Sequence, residues 1–146
     1  MELKYSLQGI LVYTAAALYA AGFIFSLLRR RKTADILFAA GFVSAAAGFL
    51  YRWCHVQHIP MQNMFEIFMT LGMVVFPVSV FCRRYIFTGQ GCFSPEDMLT
   101  GVVFLIPAGF VFDADPQFLP PALQHWLFAP HVAVYMLSYM IMAKSG

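Results

Sequence analysis

Residues 7–32 read LQGILVYTAAALYAAGFIFSLLRRRK. The first 22 positions carry no charge, and the last four are Arg29, Arg30, Arg31 and Lys32. A run of about 20 apolar residues is the length that crosses a bilayer core as a helix. A secretory signal has the opposite order, with its cations ahead of a shorter apolar core. The stretch therefore reads as a retained transmembrane helix whose trailing cations mark the cytoplasmic side.

Four more apolar runs follow, at 36–51, 64–81, 98–112 and 126–142. The third contains Pro77, where a kink is expected because proline lacks the amide donor. The fourth is the shortest and contains Pro107. With 7–28 they predict an all-α fold: a polytopic membrane helix bundle of about five spans, forming a single transmembrane domain over 1–146. Composition agrees. The chain is 61% hydrophobic and 11% charged, whereas soluble domains average about 45–50% and about 25%. Its mean hydropathy is +0.73. These values exclude a soluble globular domain, a disordered chain and a nucleic-acid binder. Leu18, Gly22 and Ser26 recur every four residues, as do Ala40, Ser44 and Gly48, and small residues at that spacing let helix backbones approach closely.

Cys54, Cys82 and Cys92 form no CxxC pair and no CxxCH motif, so the chain is not itself a c-type cytochrome. The predicted topology separates Cys54 from the other two, which argues against an internal disulfide framework.

The chemistry concentrates in two segments. His55 and His58 fall in the connection between the second and third spans, and His125 and His131 at the start of the fifth. The topology puts all four, with Trp53 and Trp126, on one face. His131 lies inside an apolar helix, where an ionisable group is costly and marks function by default. Tyr135, Ser138 and Met142 continue its row at helical spacing. Such a stripe is expected to face the bundle interior or a cavity. A neutral imidazole there suits haem iron or a quinone head group, and interhelical hydrogen bonding is the plainer alternative. The second segment is His58-Ile-Pro60-Met-Gln-Asn63-Met-Phe-Glu66. Asn63 with Glu66 three residues on predicts a capping box, Pro60 stiffens the approach, and Glu66 is positioned to meet a cationic or polar partner.

His58-x-Pro60-x-x-Asn63-x-x-Glu66, followed by Leu123-Gln124, His131-Val132 and Leu137-Ser138-Tyr139, resembles the CcsA/ResC-type cytochrome c assembly proteins. In that family the segments read roughly HxPxxNxYE and LQSxWxxxHVxxxxLSY. Here Phe65 replaces the usual Tyr, Leu127 holds the place of the motif's Trp, and Trp126 stands one position earlier. No Trp follows His131, and the family's second outer-face histidine has no counterpart. The resemblance therefore implies an N-terminal half, a fragment or one product of a split gene.

The family handles haem in system II cytochrome c maturation. The resemblance implies haem b as a cofactor in transit, held non-covalently, with His131 as an axial ligand of the haem iron. Tyr135, Ser138, His58 and Trp126 are the neighbouring cofactor-binding candidates, and Pro60, Asn63 and Glu66 form the structural loop. The implied partners are the remaining half or a CcsB/ResB-like membrane subunit, apocytochrome c with its CxxCH site, and membrane lipid. The chain would be part of a cytochrome c haem lyase, inactive alone, in the bacterial inner membrane with its functional face periplasmic. A membrane anchor of a quinol-oxidising respiratory complex is the alternative.

Seven cations (Arg29, Arg30, Arg31, Lys32, Arg83, Arg84, Lys144) fall on one side of the predicted spans and only Lys4 and Arg52 on the other. The positive-inside rule then gives an N-out, C-in orientation. A topology reporter fused after Lys144 is expected to be active only on the cytoplasmic side. Activity confined to the outer side would remove 98–112 as a span.

Overall fold

The computed structural model describes residues 7–56, 63–85 and 93–111, together with His131, Val134, Tyr135, Ser138, Tyr139, Ile141 and Met142. Four helices, α1 (Leu7–Leu27), α2 (Arg31–Val56), α3 (Met64–Tyr85) and α4 (Pro95–Phe110), follow in order. Among the described residues there is no strand. The first three helices are long and apolar enough to cross a membrane. At 1.5 Å per residue, the 21 residues of α1 extend about 31 Å, close to the hydrocarbon thickness of a bilayer.

The observed bounds correct the expected ones. The second helix is not 36–51 but starts at Arg31 and runs through Arg52 and His55 to Val56. Nothing in Arg31-Lys-Thr-Ala-Asp35 breaks a helix, and long cationic side chains reach toward water from a helix end. His55 thus belongs to the last turn of α2 and not to a connection, stacked on Tyr51 with ring centroids 5.3 Å apart. The third helix extends past 81 to Tyr85 and continues through Pro77. The fourth begins before Met98: Ser94 is its N-cap, its side chain accepting from the Glu96 N–H at 3.3 Å, with Pro95 in the first turn. Ser, then Pro, then two acids suit a helix start through the hydroxyl cap, the preset φ and the dipole. The first helix closes at Leu27. Of 126–142, the described residues His131, Val134, Tyr135, Ser138, Tyr139, Ile141 and Met142 are helical, and the rest lies outside the described residues.

The link between α1 and α2 is a Schellman turn. The Arg30 N–H donates to Phe25 O and the Arg29 N–H to Ser26 O, both at 3.0 Å. Arg29 takes φ 59°, a left-handed position where glycine is the usual residue. The Ala34 N–H then donates to Arg30 O as α2 begins.

Contacts along the helices run in opposite senses from one neighbour to the next. Gly22 lies against Ala34, Leu37 and Met98, Gly48 against Leu11, and Tyr13 against Gly109. Phe38 and Phe42 of α2 meet Phe76 of α3. The result is an up-down-up-down bundle in which α1 packs between α2 and α4, and α3 closes the ring. Arg29–Lys32, Arg83 and Arg84 consequently share one end, while Arg52, Asn63 and Glu66 share the other.

The close approaches occur at glycines. The ring of Tyr19, fully buried, lies between Gly41 of α2 and Gly101 of α4. A Cβ at either position would stand 2.5 or 2.6 Å from its carbons. Its hydroxyl donates to Gly72 O of α3 at 3.1 Å. Gly72 in turn admits Leu105, which a Cβ there would meet at 2.5 Å. The two small-residue rows do not meet each other: Gly22 lies against Ala34 and Leu37, whereas Gly48 meets Leu11 and Ser44 donates to Leu11 O at 2.9 Å. The buried line of α2, however, runs through Ala34, Phe38, Gly41, Ala45, Gly48 and Arg52 rather than through Ala40. Around Phe38 an aromatic cluster of Phe76 and Phe93 fills the basic end, with centroids 5.2–5.4 Å apart.

Gly41→Ala and Gly101→Ala are each expected to cost about 2 kcal/mol, because a ring wedged at both edges cannot move aside. Tyr19→Phe is expected to cost about 1 kcal/mol through the lost hydrogen bond. Gly48→Ala, whose Cβ would meet Leu11 at an ordinary 3.5 Å, is expected to be neutral. Thermal unfolding in detergent orders the four variants, and equal losses at Gly41 and Gly48 would contradict the wedge.

Candidate functional site

Polar side chains are scarce in this chain, and at the end opposite the cationic cluster the bundle buries several of them together. Gln8, Arg52, Asn63, Glu66 and Thr70 are all buried. Arg52 projects from the last turns of α2, Asn63 precedes α3, and Glu66 lies in the first turn of α3. The helix start is what the sequence predicts. The Ile67 N–H donates to Asn63 O at 2.9 Å, the first bond of the helix. The Asn63 N–H donates back to Glu66 Oε2 at 3.2 Å. That return bond is the carboxylate half of a capping box.

The other carboxylate oxygen is occupied from the neighbouring helix. Arg52 Nε donates to Glu66 Oε1 at 3.0 Å, with side-chain exposures of only 7% and 1%. The Arg52 guanidinium also lies over the Phe65 ring, 5.7 Å from its centroid. Glu66 therefore joins three structures: its own helix, the entry to that helix, and the end of α2. Thr70 donates to Glu66 O at 2.7 Å, and Gln8 of α1 reaches Met69 Sδ at 4.0 Å. The cationic partner expected for Glu66 is Arg52. Sequence reasoning assigned Arg52 no site role and counted it only as a charge on the sparse side. The available signal was that Arg52 and Glu66 are the only charged residues between 36 and 82.

Burial makes this pair consequential. Two charges withdrawn from water lose hydration worth several kcal/mol each, which mutual attraction and further hydrogen bonds must offset. An Arg52–Glu66 pair is neutral as a unit, and the Asn63 amide supplies a further bond to the carboxylate. Its contribution is specificity: one register of α2 against α3 brings Arg52 Nε onto Glu66 Oε1, while Arg52 Nη2 stays buried with no partner among the described residues.

The remaining expected site residues fall into two groups. His58, Pro60 and Trp126, with His125, lie outside the described residues. His131, Tyr135 and Ser138 are helical and exposed. The rings of His131 and Tyr135 meet edge to face at 4.7 Å, and Tyr135 is followed by Tyr139 at 6.4 Å. Ser138 donates to Val134 O at 2.9 Å, the local bond that hydroxyls commonly make within a helix. The row expected from spacing thus exists as a helical row. The described members of that row, His131, Tyr135, Ser138 and Met142, are exposed, as are Val134 and Tyr139. Cys54 is exposed and Cys82 buried, both as free thiols.

Comparisons with protein-family models, with curated proteins and with solved structures find no match.

Truncating either member of the ion pair strands the other in a buried place. Arg52→Ala and Glu66→Ala are each expected to cost about 3 kcal/mol, and the double variant little more than either one. Asn63→Ala is expected to cost about 1 kcal/mol through the cap. Denaturation of the four proteins in detergent gives the coupling directly, and additive losses would show that the two charges act separately.

Proposed function

We propose that this chain is a haem-handling membrane subunit of cytochrome c maturation, helping to present haem at the outer membrane face for attachment to apocytochrome c. The observation that carries the reading is the treatment of one motif. Asn63 and Glu66, two residues of the His58-x-Pro60-x-x-Asn63-x-x-Glu66 pattern, are buried and clamped by a cation from another helix. A connector of no consequence has little reason to hold a buried ion pair near a membrane boundary, where ionisable groups are costly. The clamp gives the adjoining segment a fixed anchor on two helices.

In this reading the bundle has five spans with the N-terminus outside and the C-terminus in the cytoplasm of a bacterial cell. The shared end of Arg29–Lys32, Arg83 and Arg84 supports that orientation by the positive-inside rule. His131 is the residue that would ligate haem. Its exposure beside Tyr135, on a row with the apolar Val134 and Met142 nearby, fits a group bound between this helix and a partner. Bound haem b would supply the iron that takes the imidazole and the side groups that become thioether-linked to the CxxCH thiols. Any further ligand to the iron would come from the complementary half or a CcsB/ResB-like subunit. Tyr135 and Ser138 would flank the ligand, with His58 and Trp126 on the same face.

His131→Ala, assembled with the complementary membrane subunit, is expected to remain in the membrane while losing most bound haem and most cytochrome c maturation. His125→Ala is expected to be mild. Haem per protein, read by absorption, distinguishes them. Full haem content with normal maturation in His131→Ala would refute the ligand role.

A further inference from the structure

We infer that the cationic turn between α1 and α2 is a binding site for the phosphate of an anionic phospholipid. Arg29, Arg30, Arg31, Lys32 and Thr33 line an open concavity of about 450 Å³. All five are exposed, and none of the four cations is ion-paired with a described residue. The carboxylates at this end are engaged elsewhere or stand on α4. Asp35 accepts from the Phe93 N–H at 3.2 Å, Asp97 is buried, and Glu96 sits in the first turn of α4. Arg83 is turned over the Phe93 ring, 4.4 Å from its centroid. The four cations of the turn therefore have no partner supplied by the described bundle.

Geometry selects the anion. The Schellman turn reverses the chain within a few residues, so three consecutive guanidinium groups and an ammonium are displayed around one bend. Arg29 does this from a left-handed backbone position that glycine would occupy without strain. α2 then starts at Arg31 with no acidic residue in its first turn, so its free N–H groups add to the positive field. Guanidinium forks match phosphate oxygens in pairs. Depth selects the source. α1 is about as long as the hydrocarbon core is thick, so a helix seated in that core delivers Arg29–Lys32 to the level of lipid phosphates. A soluble phosphate gains nothing from that placement, whereas a lipid is held there by its chains. The inference rests on the membrane-spanning character of α1 and α2 and is independent of any haem role.

The test is lipid retention by the purified full chain in detergent, measured by native mass spectrometry after incubation with equal phosphatidylglycerol and phosphatidylcholine. The wild-type chain is expected to retain phosphatidylglycerol at least about fivefold over phosphatidylcholine. Arg29→Lys/Arg30→Lys/Arg31→Lys keeps every charge, and with it the orientation, but removes the forks; it is expected to lose most of that preference. Arg83→Gln/Arg84→Gln removes two charges at the same end and is expected to keep it. Equal retention of the two lipids would overturn the proposal. So would an unchanged preference in the triple lysine variant, which would indicate a diffuse field. Displacement of the lipid by millimolar inorganic phosphate would assign the site to free phosphate instead.

Discussion

One aromatic ring sets the spacing of the whole bundle. Tyr19 rises from the middle of α1, is flanked by Gly41 and Gly101, and ends on the carbonyl of Gly72, so a single side chain touches all three other helices. Lipid tails are as apolar as the helix surfaces, so burying hydrophobic area gives little drive for helices to associate within a bilayer; close packing and a few hydrogen bonds must serve. Tyr19 supplies both. Its two edges require glycine on either side, and its hydroxyl requires an acceptor at the far end. The helices settle where those conditions meet.

The polar end and the aromatic end of the bundle then do different work. At the basic end, Phe38, Phe76 and Phe93 meet edge on, and Asp35 ties the segment ahead of α4 to α2. This is packing that tolerates some repositioning. At the opposite end, Arg52, Asn63 and Glu66 tolerate none, because any slip leaves a charge unsatisfied. The bundle thus has one adaptable end and one rigid end. The Asn63–Glu66 motif lies at that end.

Much of this was legible in the residues. Long apolar runs ending at cations located α1, α2 and α3, since length and hydropathy are properties of a helix by itself. The capping box was legible because it is local, spanning Asn63 to Glu66. Helix ends were less so. The start of α4 was written in Ser94-Pro95-Glu96-Asp97, yet apolarity alone begins the run at Met98, past that first turn. The extension of α2 through Arg52 depended on a partner 14 residues away in another helix. The wedge at Tyr19 was invisible because a tyrosine and three glycines, scattered from 19 to 101, carry no mark that they meet. The inward orientation of the His131 row was inferred from the cost of burying polar groups in lipid, an argument that is silent on whether the cover comes from the same chain.

The turn at Arg29 has a consequence for the order in which the molecule is made. It joins α1 to α2 through so few residues that every contact between them, from Gly22–Ala34 to Leu11–Gly48, is available once residue 56 has been synthesised. Closing so short a loop costs little entropy, and contacts of low sequence separation form fastest. α1 and α2 thus constitute a helical hairpin able to form as one unit, its cations gathered at the turn. Arg52 then waits at the open end of that hairpin as a cation lacking its counter-ion. The arrival of Glu66 at the head of α3 neutralises it, so the third helix is recruited by charge to a site that the first two have already prepared.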